Sequence, residues 1–195
     1  MPSDPIILAF DTSAAHCAAA LLDGDQIVAT RVEQMTRGQA ERLMPLLEEL
    51  LAEADCTWQD LSAIGVGIGP GNFTGIRISI SAARGLVLGL GIPAVGVSGF
   101  DALADGAEDA VPAIRAPRDQ VYVAPAGHSP ALIPLDQAES LGPLIFNDDA
   151  ELQVRGIAHV TRQRWQSNDG PPAPLYARAA DAAPSKDLPP VLLDE

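Results

Sequence analysis

Apolar positions along the first hundred residues follow two periods. Ile6 to Phe10 is a continuous apolar stretch, the pattern of a strand covered on both faces, and Cys17 to Leu22 is a second. Asp23-Gly24 predicts a hairpin turn, and Gln26 to Val32 alternates through Ile27, Ala29 and Arg31 as a third strand. From about Ala40 to Ala54 the period becomes helical. Leu43, Leu46, Leu47, Leu50 and Ala54 fall within about a 100° arc, enough to seat a helix on its own sheet. Met44 and Leu51 widen the band to roughly 160°. A helix shared with another subunit has use for such a shoulder, so Met44, Leu47 and Leu51 form an expected partner interface. The competing expectation is that the rest of the chain covers them. Pro45 is expected near the first turn of this helix. A fourth strand (Ala63–Ile68), a helix to about Leu90 and a fifth strand (Ala94–Val97) complete the half; Ile76, Ile78 and Ile80 also alternate as a strand would.

After about Phe100 the pattern thins. Twelve of the seventeen prolines lie beyond that point, with only five of the seventeen glycines. A strand pair is expected at Val111–Ile114 and Val121–Ala124 and a helix at Leu152–Gln163, while Gly170 to Pro190 reads as loop and tail. Two lobes follow: residues 1–100, and a smaller, proline-rich, shortened lobe with a C-terminal tail over 101–195. The order β-β-β-α-β-α-β argues for an α/β sheet whose antiparallel start turns parallel.

Composition narrows the function classes. Aromatics are few, so the core is aliphatic and alanine-rich. No apolar run is both long and uninterrupted enough to span a bilayer, and no basic-then-apolar leader opens the sequence, so a soluble cytoplasmic protein without a membrane partner is expected. Cys17 and Cys56 sit among apolar or small residues and read as inert thiols, with no disulfide framework. The net charge is −14, and the eleven arginines are scattered. A chain that binds RNA directly displays a basic patch, so strong direct binding of tRNA or any nucleic acid is not expected.

The densest chemistry lies in Gly69-Pro70-Gly71-Asn72-Phe73-Thr74-Gly75-Ile76-Arg77, between the fourth strand and its helix. Pro70-Gly71 has turn chemistry, with positive φ expected at Gly71, and Asn72 or Thr74 can cap the helix. A strand, a glycine turn and a helix N-terminus make either an anion site or a tight packing corner. It is neither a P-loop, since no lysine follows Gly75, nor a dinucleotide fingerprint, since Asn72 stands where the third glycine belongs. Arg77 is a cation in the first turns of a helix and needs an offset: Asp11, an anion or a partner's carboxylate. His16, His128 and His159 are isolated, with no metal or triad spacing.

These residues resemble a known family. Gly-Pro-Gly-Asn-Phe-Thr-Gly-Ile-Arg is similar to the signature of the bacterial TsaB (YeaZ) proteins, which serve threonylcarbamoyladenosine formation in tRNA. The likeness extends to Ile7–Ser13, to Ile92–Ser98 and to Pro174-Leu175-Tyr176-Ala177-Arg178. It implies a ribonuclease-H-like fold of the actin, sugar-kinase and Hsp70 superfamily, with a reduced second lobe. It also implies a noncatalytic scaffold and activator that pairs with a TsaD-like catalytic subunit, joined by a TsaE-like ATPase. Alone, such a chain forms a homodimer through the same surface and meets tRNA only indirectly. No cofactor belongs to the chain alone; ATP and metal belong to the partners. Asp11, Thr12, Ser13, Gly69, Pro70, Gly71, Phe73, Thr74, Gly75 and Arg77 then form a vestigial phosphate loop or a structural motif, with no catalytic or metal residue.

Three departures stand out. Ser13 replaces a glycine of the superfamily's phosphate hairpin, Arg115 stands where relatives more often show aspartate, and Gln39-Ala40 lacks the usual His-(Ser or Thr) helix start. The rivals are a small-molecule kinase or nucleotide hydrolase of the same superfamily and a metal-dependent peptidase.

Overall fold

The computed structural model describes residues 4–104, 109–125, 129–146, 148–167 and 170–176; His128, Ala177 and Arg178 lie outside the described residues, as does the tail beyond them. A five-stranded sheet runs in the order β3-β2-β1-β4-β5. Strands β1 (Ile6–Asp11), β2 (His16–Asp23) and β3 (Gln26–Gln34) form an antiparallel meander, and β4 (Ala63–Gly67) and β5 (Ala94–Val97) pair parallel on the other side of β1. This is the expected ribonuclease-H-like α/β order. The hairpin turn is Gly24-Asp25, one residue later than predicted, because Asp23 still pairs with Gln26. The register slips between Leu21 and Leu22, which pair with Ala29 and Ile27, so Val28 is a bulged residue and half-exposed.

Alternation along the buried strands serves two layers of helix. Leu8, Phe10, Cys17, Ala19 and Leu21 face a core shared with α1 (Gln39–Glu53) and α2 (Phe73–Leu90). Ile7, Ala9, Ala18, Ala20 and Leu22 face α5 (Ala150–Arg164) and α3 (Gly99–Ala104). The second face is lined with small residues because α5 lies close: a Cβ on Gly65 would overlap the Thr161 hydroxyl, and one on Gly156 the Ala102 carbonyl.

Helix α1 corrects two expectations. Leu47 and Leu51 are buried with Leu43, Leu46 and Leu50 in the core that α1 shares with α2 and the sheet, and Met44 packs against the same cluster half-buried. The apolar shoulder is therefore covered by the chain's own α2 and strands, and Leu47 and Leu51 are not a partner surface. Each buried leucine contributes about 1.5–3 kcal/mol of hydrophobic stabilisation, which a partner is not needed to supply. Pro45 falls mid-helix rather than in the first turn. It is exposed, and so is Glu41, whose carbonyl loses the partner that proline cannot provide and turns to solvent.

A second sheet has the order β8-β7-β6-β9. β6 (Val111–Ala116) and β7 (Gln120–Val123) form the anticipated antiparallel pair; β8 (Ala131–Pro134), α4 (Leu135–Glu139) and β9 (Leu144–Phe146) were not predicted. Its core is small, built on Ala113, Val121, Val123 and Ala138. The chain does not divide cleanly at residue 100, because α5 returns to the first sheet and Leu175 N donates to Ile68 O at 2.9 Å. α2 is long and apolar enough by length and composition to cross a membrane, yet its Gly75, Ile76, Ser79, Ile80 and Ala83 face is buried on the sheet.

Candidate functional site

The glycine-rich connection packs against the end of β1. Asn72 caps α2, its side chain accepting from Gly75 N at 2.9 Å, while its own N–H donates to Ser13 O at 2.6 Å. Thr12 Oγ1 donates to Gly75 O at 2.7 Å. A Cβ on Gly71 would overlap Ser13 O, and one on Gly75 would overlap Thr12 O. These are the contacts of a packing corner, and the glycines are there for backbone proximity. Gly71 does not take positive φ as expected; Gly69 does, at 96°, and the Gly69–Pro70 peptide is cis. Thr74 is exposed and leaves the capping to Asn72.

At the centre of this corner lies a buried polar cluster that includes a residue missed in the sequence. Asp11 Oδ2 accepts from Ser13 N (3.0 Å), Ser13 Oγ (2.8 Å) and His16 Nε2 (2.8 Å). Asp11, Thr12, Ser13 and His16 are all buried. His16 opens β2 directly across a short connection from Asp11 at the end of β1, and that spacing was the available signal. The carboxylate sits between the hydroxyl and the imidazole. A serine nucleophile needs the imidazole between hydroxyl and carboxylate, so this order is not a catalytic triad. Asp11 Oδ1 is buried without a hydrogen-bond partner among the described residues and faces Gly67, where a Cβ would overlap it.

As part of the phosphate loop that the resemblance implies, Asp11 would be the candidate metal ligand. Here its outer oxygen is saturated by three donors and its inner oxygen is walled in. Among the described residues no three His, Cys, Asp or Glu side chains gather. The residues present do not fit a metal.

Arg77 is offset by neither Asp11 nor any other carboxylate among the described residues. Its guanidinium lies 3.9 Å over the Phe73 ring, and Nε donates to Tyr176 Oη at 3.1 Å. Phe73 and Tyr176 stack with centroids 5.3 Å apart. Arg84 adds two hydrogen bonds to Pro172 O, at 2.6 and 3.0 Å, so residues 172–176 form a strap across the β4–α2 corner. Pro174-Leu175-Tyr176 thus meets the Gly69–Arg77 stretch in space, although about a hundred residues separate them.

Between the lobes lies a cleft of about 1020 Å³, lined by Ser13, Gly71 and Asn72 on one side and by Arg115, Ala116 and Pro117 on the other. Arg115 is paired with Asp148 at 2.9 Å and lies 4.1 Å over the Phe146 ring. The wall opposite the corner therefore presents a neutralised cation.

The TsaD family model, described as tRNA N6-adenosine threonylcarbamoyltransferase, matches residues 26–132, a little over half of the chain. The TsaB protein of Escherichia coli K12, described as a tRNA threonylcarbamoyladenosine biosynthesis protein, is 39% identical over 101 residues, covering 52% of this chain and 43% of that protein. An uncharacterized protein of Mycobacterium tuberculosis H37Rv is 31% identical over 209 residues, covering 91% of this chain and 94% of its own length. The solved structure of YeaZ from Pseudomonas aeruginosa superposes with a TM-score of 0.71 at 26% identity, over 88% of this chain and 99% of that one. The chain spans about half the length of the curated TsaB relatives it matches. On sequence, fold and motif together, the chain belongs to the TsaB (YeaZ) family.

Proposed function

We propose that this chain acts in tRNA threonylcarbamoyladenosine formation as a noncatalytic subunit that scaffolds and activates a TsaD-like catalytic partner. The observation that carries the reading is the outer face of α2. Leu88 is 86% exposed there, and Gly85 and Gly89 have nothing within 4 Å of an added Cβ. Small residues beside an exposed leucine let a second helix approach closely while burying that leucine. On this reading the docking surface lies on α2, since the chain itself covers the α1 shoulder.

The closed Asp11 cluster supports the noncatalytic part, since no reacting group there is both free and exposed. ATP and metal are assigned to the partners, with a TsaE-like ATPase completing the assembly in the cytoplasm. Alone, the chain self-associates through the same face. Contact with tRNA is indirect: Arg31, Arg42, Arg115, Arg155, Arg162 and Arg164 are each engaged by carboxylates of the chain itself. The test is reconstitution with the TsaD-like and TsaE-like proteins of the same genome. Omitting this chain should abolish modification, and Leu88→Arg should mimic its omission.

A second reading, a nucleotide hydrolase or small-molecule kinase, draws on the interlobe cleft, which also receives the N-terminal residues of α1 and α2. Calorimetry with ATP and magnesium separates the two. The scaffold reading predicts no tight binding to the isolated chain, and a micromolar dissociation constant would favour the enzyme.

A further inference from the structure

Among the described residues Arg77 is held in place without an anion. Six other arginines pair with carboxylates of this chain, and Arg84 is taken by the Pro172 carbonyl. Arg77 has the Phe73 ring beneath it and the Tyr176 hydroxyl at Nε, while its Nη1 and Nη2 make no hydrogen bond among the described residues. Phe73 and Tyr176 are 45% and 44% exposed, so the group stands on the surface rather than in the core. Ordering a long side chain costs entropy, and the first turn of α2 carries no acidic residue to offset the cation.

We propose that Arg77 is the receptor for an aspartate or glutamate carboxylate of the partner subunit, taken through Nη1 and Nη2 with Phe73 and Tyr176 fixing the guanidinium plane. Such a fork matches a carboxylate in two parallel hydrogen bonds. The inference rests on the reading of α2 as the partner face. Phe73, Arg77, Ser81, Gly85 and Leu88 recur at three- to four-residue spacing along that helix. Phe73 and Leu88 lie about 22 Å apart at the helical rise, so the two ends of one docking helix can reach both. Arg84, the next cation along, is already taken, and Ser81, Gly85 and Leu88, which complete the face, are uncharged. A protein carboxylate fits that surface, whereas a phosphate backbone would want further free cations.

The test is calorimetric titration of the full-length chain with the TsaD-like protein of the same genome, at low and high sodium chloride, with melts confirming that each variant is folded. Arg77→Gln should weaken binding about tenfold or more at low salt and flatten the salt dependence. Arg77→Lys should recover only part of the loss, having charge without the fork, and Tyr176→Phe should fall between. If Arg77→Gln binds as the wild type does while Leu88→Arg does not bind, the carboxylate contact is overturned and the α2 interface stands. If the wild type itself does not bind, the pairing is overturned and this contact with it.

Discussion

Replacing Gly75 with alanine sets two effects of opposite sign against each other. Gly75 is a helical residue with ordinary negative φ, and alanine in place of glycine favours a helix by about 1 kcal/mol. Its added Cβ, however, would overlap Thr12 O, a backbone atom of the β1–β2 connection that the Asp11 cluster holds in place. Relief requires moving Thr12 away from α2, which breaks the 2.7 Å Thr12–Gly75 hydrogen bond. Losing that bond costs about 1 kcal/mol and the overpacking about 1–3 kcal/mol more, so the net loss is roughly 1–3 kcal/mol. At about 2–4 °C per kcal/mol for a chain of this size, Tm should fall by roughly 2–12 °C. Gly85→Ala is the control: it is exposed, helical and open, so it should melt slightly above the wild type. Thermal melts of the isolated chain at low concentration keep self-association out of the comparison. A Gly75→Ala variant that melts at or above the wild type would refute the packing-corner account.

Two further outcomes follow from titratable groups. Burial alone would raise the Asp101 carboxyl, but Arg164 and Ser98 outweigh it and hold the group below its ordinary 3.8. A depressed folded value means the contribution is complete above 3.8 and is lost as pH falls from there through the folded value. In urea titrations at falling pH the wild type should therefore lose stability more steeply than Asp101→Asn, and parallel curves would contradict this. Burial also pushes the Cys17 thiol up to about 12 and raises Cys56 less. Iodoacetamide should leave Cys17 unlabelled in the native chain and label both cysteines in denaturant; rapid native labelling of Cys17 would show that this side of the sheet is open.

Legibility followed the range of the interactions. The meander, α1, α2 and the parallel strands were readable because period and turn chemistry are local, and Asn72 signals its helix cap directly. Which glycine takes positive φ was not readable, because the pose of the loop is tied to Ser13, in the distant β1–β2 connection. β8 and β9 escaped because runs of four and three residues are too short to show a period. The width of the α1 band was correct, but its meaning was not: the sequence shows how much of a helix is apolar, and not that α2 lies along one edge of it. Asp11 and His16 are close in sequence, but their side chains meet only because the β1–β2 connection folds back on itself. Tyr176 reaches Arg77 across 99 residues of chain, and no local signal carries that contact.

The central claim is that the exposed face of α2 meets the catalytic partner, and one measurement addresses it most directly: light scattering and calorimetry of Leu88→Arg with the TsaD-like subunit, beside Leu51→Arg. Leu88 is 86% exposed and Leu51 only 3%. The account predicts that Leu88→Arg keeps the wild-type melt but loses pairing and self-association, while Leu51→Arg unfolds. A folded Leu88→Arg chain that pairs with wild-type affinity would contradict it.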